Sequence, residues 1–110
     1  MESQNLAGIS EIIGVKSYYL LKHDGSQVAG KSSAATELCQ YIALSGLNGE
    51  AICSLLGKSR LNHMIFSRQG KESIIIFPMK DHFLAVMKEA GTSTANLIPR
   101  ISELIDGIKL

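Results

Sequence analysis

The stretch from Ser32 to Leu56, SSAATELCQYIALSGLNGEAICSLL, limits the possible folds more than any other part of this chain. It is the one long segment between two blocks of strand-like sequence, so the other elements have to pack on it or beside it. Ala35, Leu38, Ile42, Ser45, Gly49, Ile52 and Leu56 recur at spacings of three and four, the period of an α-helix. Ser32 or Ser33 is placed to cap the start by accepting from an orphan backbone N–H. Glu37 suits the positive end of the helix dipole. No strict capping box is present, because Ala35 and Thr36 stand where a carboxylate would be needed.

Two readings of its middle are open. Ala43, Ser45, Gly46, Gly49 and Ala51 put small residues where a core helix would carry bulk. Each interior glycine costs roughly 0.5–1 kcal/mol relative to alanine. Either Gly46-Leu47-Asn48-Gly49 breaks the segment into two shorter helices, or one helix presents a small-residue face. Such a face lets a second backbone come close, and would serve for self-association.

The flanks are easier to read. Leu6, Ile9, Ile12 and Ile13 give a short helical period, with Ser3 or Asn5 as caps and Gly14 as its end. Val15–Lys22 and Gln27–Gly30 read as strands joined by His23-Asp24-Gly25-Ser26, where Asp-Gly suits a tight hairpin. After the central segment, Gly57-Lys58-Ser59 reads as a helix end and turn. Arg60–Ser67 then alternates, with Asn62, Met64 and Phe66 on one face and Leu61, His63 and Ile65 on the other. Glu72–Met79 is apolar on both faces and reads as a covered inner strand, its pairing weakened near Pro78. Lys80-Asp81 turns into His82–Lys88. Leu97, Ile98, Ile101, Leu104, Ile105 and Ile108 then form the stripe of a last helix. An N-cap at Asn96 would put Pro99 in the first turn, where its missing N–H does no harm; a cap at Thr92 or Ser93 would put a kink there. The late start is favoured.

The element order is therefore α-β-β-α-β-β-β-α. It folds most simply as one domain, residues 1–110, of the α/β (α+β) class. The expected form is a two-layer sandwich with a five-stranded antiparallel sheet in the order 2-1-5-4-3, flanked by helices. The length and the 45% apolar content match one core. Charged residues are only 19%, below the usual ~25%, which points to apolar surface covered by something outside the monomer. Eleven basic and ten acidic residues are scattered and offer no stripe for a phosphate backbone, so nucleic-acid binding is disfavoured. No apolar run is long enough to span a bilayer, and MESQNLAGIS lacks the basic start of a signal peptide; no membrane insertion is expected. On a continuous helix Cys39 and Cys53 would lie about 21 Å apart at ~1.5 Å per residue, so both are expected as reduced thiols, in keeping with a cytoplasmic location.

Motifs for chemistry are missing. His23, His63 and His82 form no metal-ligand spacing with each other or with either cysteine. His23 and His82, each beside a turn aspartate, read as solvated turn residues, and His63 as a packing or interface residue. Gly57-Lys58-Ser59 resembles the tail of a P-loop, but Ile52 stands where the first glycine belongs and a helix precedes it instead of a strand. Arg60, Arg68 and Arg100 have no feature ordering them toward a nucleotide. No catalytic residue, metal or cofactor is assigned, and a small-molecule-binding domain ranks below an interaction module.

The run GV…LLKHDGSQVAG followed by NHMIFSRQGKESIIIFPMKDHFLAVMKEAG resembles the Roadblock family of dynein light chains and bacterial gliding-motility GTPase regulators. Gly14, Asp24, Gly25 and Val28 carry the strand-turn-strand part of the likeness, which extends by pattern from about Asn5 to Ile108. The resemblance implies a homodimer or heterodimer joined through the central helix and third strand, merging two sheets into one of ten strands. Carried onto this chain, the interface is Leu38, Ile42, Ser45, Gly46 and Gly49 on the helix, with Leu61, His63 and Ile65 on the edge strand. It further implies a non-enzymatic regulator or scaffold of a small Ras-like GTPase, supplying no arginine finger of its own. The alternative is a dimeric scaffold or sensor module in a multiprotein complex without a GTPase.

Overall fold

The computed structural model describes residues 6–30, 33–57, 61–67 and 72–107. A short 3-10 helix, Ala7–Glu11, leads into β1 (Val15–Lys22) and β2 (Gln27–Gly30). Helix α1 (Thr36–Leu55) follows, then β3 (Met64–Phe66), β4 (Ser73–Met79), β5 (His82–Lys88) and helix α2 (Thr94–Asp106). The five strands form one antiparallel sheet in the order β2-β1-β5-β4-β3, as expected.

The β1–β2 hairpin closes through the Asp-Gly turn. Gly25 has φ of +93°, a conformation that other residues rarely adopt, and the Ser26 N–H donates to Asp24 Oδ1 at 2.8 Å. That bond holds the Asp24 carboxyl below its ordinary pKa. The β4–β5 turn is tighter, and Lys80 takes φ of +33° to make it. Pro78 lies opposite Phe83, beyond the point where β3 stops, so its missing N–H leaves no gap in the β3 ladder. β3 itself is only three residues long, shorter than the alternation predicts.

Both faces of the sheet are covered, so the two-layer packing is doubled. Alternation along the strands divides the interior into two cores. Tyr18, Leu20, Ile75, Phe77, Leu84 and Val86 pack with Leu6, Ile9, Leu97 and Ile101 under the 3-10 helix and α2. Leu21, Ile76, Phe83 and Ala85 pack with Cys39, Ile42 and Ala43 under α1. Tyr18 and Tyr19 thus face opposite ways, as adjacent strand residues must.

The ends of the helices differ from expectation in two places. α2 is capped by Ser93, whose hydroxyl accepts from the Asn96 N–H at 3.2 Å, so Pro99 lies inside the helix and not in its first turn. Pro99 and Ala95, whose carbonyl loses its partner, are both exposed, and water can take that bond. At the other end of the chain, the residues after Leu6 form a 3-10 helix and not an α-turn, and Ile13 swings out to 86% exposure. The Ser3, Asn5 and Ile108 expectations lie outside the described residues, as does Ser32. Ser33 makes no cap; Ala35 occupies that position with no side-chain bond.

A candidate interaction face on the central helix

α1 is one continuous helix, which settles the choice between a break and a single element. The helix runs through Gly46 and Gly49 because both are used for close approach to the chain's own sheet. A Cβ built on Gly46 would sit 2.6 Å from the Phe83 ring, and one on Gly49 would sit 2.5 Å from Met64 Sδ and 2.9 Å from Leu61 Cδ2. Both glycines are buried. The small-residue face therefore points inward, where it lets the helix settle low on the sheet, and it is not an outward surface. Phe83, beneath Gly46, is flanked by the His23 ring at 4.5 Å between centroids. His23 is thus a packed residue and not a solvated one; its Nε2, like His82 Nδ1, is buried with no hydrogen-bond partner among the described residues.

With its inner face accounted for, α1 still carries a second apolar face. Tyr41 (61% exposed), Leu44 (53%), Ile52 (56%) and Leu55 (87%) stand out from the molecule, with Leu47 and Leu56 beside them. Ile52 and Leu56, which the helical period assigns to the core stripe, belong to this outer face instead. The last turn overhangs: residues 54–57 are all exposed, and the Gly57 φ of +78° ends the helix with open space around it. Only two of the twenty residues of α1 are acidic, Glu37 and Glu50, and none is basic. A helix that is apolar all round is normally a buried one. This pattern is the main signal that sequence reading missed, since it was interleaved with the inward stripe.

The outer face continues onto the sheet edge through the exposed Phe66 of β3, and among the described residues β3 has no strand partner on its far side. Between α1 and β3 runs an apolar groove of about 180 Å³. Leu38, Tyr41 and Ser45 wall it on the helix, Phe66 on the strand, and Ile74 and Ile76 line it from β4.

The expected interface residues are thus distributed unequally. Leu38 and Ser45 are half-buried on the groove, and Ile42 is buried beneath it. Leu61 folds onto Gly49 on the α1 side. His63 turns to the other core, its ring tilted against Phe77 at 6.1 Å. Ile65, opposite Ile75, shares that side. The structure brings the helix residues and Leu61 together, and sends His63 and Ile65 to the opposite face of the same edge.

No further chemistry emerges from the geometry. Among the described residues no group of three His, Cys, Asp or Glu side chains could hold a metal ion. Cys39 is buried, and desolvation pushes its thiol pKa up, away from a reactive thiolate. No helix among the described residues is long and apolar enough to cross a membrane.

No family model and no curated protein matches this sequence. Its structure does match solved ones. MglB of Myxococcus xanthus overlays with a TM-score of 0.82 at 15% identity, covering 96% of this chain and 89% of that one. A Roadblock/LC7 domain from Streptomyces avermitilis overlays at 0.80 and 13% identity, covering 94% and 91%. Profilin IB of Acanthamoeba castellanii overlays at 0.65 and 16% identity, covering 94% and 89%. These likenesses concern architecture. The chain has the fold of the Roadblock/LC7 domain, as its strand-turn-strand pattern implied, on a backbone plan that profilins share.

Proposed function

We propose that this chain is a non-enzymatic homodimeric module, pairing through the outer face of α1 and the β3 edge, that regulates or scaffolds a small Ras-like GTPase. One observation carries the dimer: α1 is apolar on two faces, and its own sheet covers only one. Burying exposed apolar surface is favourable by about 25 cal/mol per Å², and the near-absence of charge on that face removes the repulsion that would keep two copies apart. Leu38, Ser45 and Leu61 keep a place at or beside the proposed contact of the helix, while His63 and Ile65, on the other face of β3, would take part only through pairing of the strand edge. Tyr41, Leu44, Ile52, Leu55 and Phe66 join them. Ile42, Gly46 and Gly49 act from beneath, by setting the height of the helix. Pairing of β3 with its copy would extend the sheet to ten strands and remove an open edge.

The GTPase connection is drawn from the Gly14, Asp24-Gly25 and Val28 resemblance together with the fold. With no positioned arginine or base among the described residues, such a dimer would act by binding the switch regions and shifting their population. Two measurements test the reading. Sedimentation of the purified chain should give a dimer that Leu44→Glu converts to a folded monomer; a monomeric parent at high concentration overturns the dimer. Titration with Ras-like GTPases loaded with GDP or GTP should show nucleotide-dependent affinity or a changed hydrolysis rate. Absence of both for every GTPase tried overturns that half and leaves a dimeric scaffold.

A further inference from the structure

The sheet face that α1 does not cover has an opening of its own. Where the 3-10 helix hands over to β1, a trench of about 250 Å³ lies between Ile13 and the first two turns of α2. Leu97, which is buried, lies at its base; Ile13, Thr92, Ser93, Asn96 and Arg100 form its rim. α2 and α1 pack on opposite faces of the sheet. The pairing proposed above would therefore leave this trench open, once in each copy.

The lining is apolar with a basic end. Ile12 packs against the core, but Ile13 beside it is held out in water, where a cover would be favourable. The Arg100 guanidinium is permanently charged, and among the described residues no carboxylate lies within ion-pair distance of it. Lys88 adds a second basic group behind the rim. Its side chain is buried, and its Nζ donates to the carbonyls of Thr92 at 2.7 Å and Glu89 at 3.5 Å, both neutral oxygens. Glu89 and Glu103, the carboxylates nearest in sequence, are both exposed. The charge comes from side chains and not from the end of α2: the Asn96 and Leu97 N–H groups already donate to the hydroxyl and carbonyl of Ser93. The rim is also braced in advance. The Glu89 N–H donates to the Gly14 carbonyl at 2.8 Å, and the Thr92 side chain sits so close to Gly14 that a Cβ there would have no room.

Size and shape narrow the occupant. The trench is smaller than the ~300–1,000 Å³ that encloses a drug-sized ligand, and it is open to solvent, so it fits one residue of something larger. An acidic side chain inside a partner segment would meet Arg100 and leave the apolar lining bare. An internal leucine would do the reverse. A chain end carries both groups on one residue. We propose that the trench captures the C-terminal residue of a partner polypeptide, with an aliphatic side chain against Ile13 and Leu97 and the α-carboxylate on Arg100. A guanidinium accommodates a carboxylate through two parallel N–H donors, and Thr92 and Asn96 are placed for the last peptide group.

The test is a titration of the isotope-labelled full chain, followed by amide chemical shifts, with acetyl-Ala-Ala-Leu bearing a free carboxylate. The amides of Ile13, Asn96, Leu97 and Arg100 should shift saturably. Three controls should each bind about tenfold more weakly or worse, having lost one of the two groups or the chain that carries them: the same peptide with a C-terminal amide, acetyl-Ala-Glu-Ala amide, and free isocaproate. Arg100→Gln should bring the carboxylate and amide peptides to the same affinity, whereas Ile13→Ser should weaken the carboxylate peptide about threefold or more and keep its advantage over the amide. Both positions are exposed, so neither variant endangers the fold. No saturable shift at the trench, or equal binding of the amide peptide to the parent chain, overturns the proposal. Isocaproate binding as tightly as the peptide makes this a site for a free acid, and the blocked glutamyl peptide doing so makes it a site for an acidic segment; either overturns the polypeptide end as occupant. An Arg100→Gln chain that still prefers the carboxylate does so as well. The titration does not depend on self-association, so its outcome is separate from that of the dimer reading.

Discussion

The two helices solve the same problem to different extents. α2 keeps its apolar residues on one stripe: Leu97 and Ile101 are buried, Ile98, Leu104 and Ile105 pack beside them, and Ala95, Arg100, Glu103 and Asp106 face out. It begins at a serine cap and needs nothing further. α1 has no side-chain cap, overhangs at its end, and carries apolar residues on both faces. A finished amphipathic helix identifies the side of the sheet that the monomer completes alone. An unfinished one marks the side on which the proposed dimer would pair.

Substitutions can break this contrast or sharpen it. The largest effect is expected at the inner face of α1: Gly46→Leu would drive a side chain into the Phe83 ring and should cost about 3 kcal/mol or prevent folding, as read by urea denaturation. A variant folded as well as the parent would mean that the helix does not rest on the sheet through its glycines. Next, Ile101→Ala on α2 should cost about 3 kcal/mol through the cavity it leaves, with the oligomeric state unchanged by sedimentation. Dissociation of the dimer by that variant would contradict the assignment of α2 to the self-sufficient side. Ser93→Ala should cost about 1 kcal/mol by removing the side-chain cap of α2, with the loss confined to the α2 end in hydrogen exchange. The smallest change in the monomer's folding is expected from Leu44→Ala, at about 0.5 kcal/mol or less, since the residue is exposed. Its effect should instead be on assembly, making the urea midpoint less dependent on protein concentration.

Much of the architecture was legible because it is specified locally. Asp24-Gly25 set the first hairpin, alternation marked the third strand, and uninterrupted apolarity marked β4 as an inner strand. What was not legible depended on which object a residue would meet. Gly46 and Gly49 declare that something comes near, but only the position of Phe83 and Met64 shows that it is the chain's own sheet. Ile52 fits the helical period of the inner stripe, yet it stands 56% exposed on the outer face. Pro99 argued for a late start to α2, and was overruled by the Ser93 cap together with the seating of Leu97 in the core, with exposed backbone at Ala95 absorbing the lost bond. His23 stands beside a turn aspartate, and nothing in its neighbours announces the ring that it lies against.

β5 belongs to both interiors at once, with Phe83 and Ala85 in one and Leu84 and Val86 in the other. Neither interior can come apart without disturbing this strand, so its amides should be released to deuterium only when the entire chain opens, whereas the last turn of α1 should exchange through local fraying. Isotope uptake would then separate two quantities in one experiment: the strength of the fold, from the middle of the sheet, and the local stability of the exposed helix end, which the proposed dimer would raise with protein concentration.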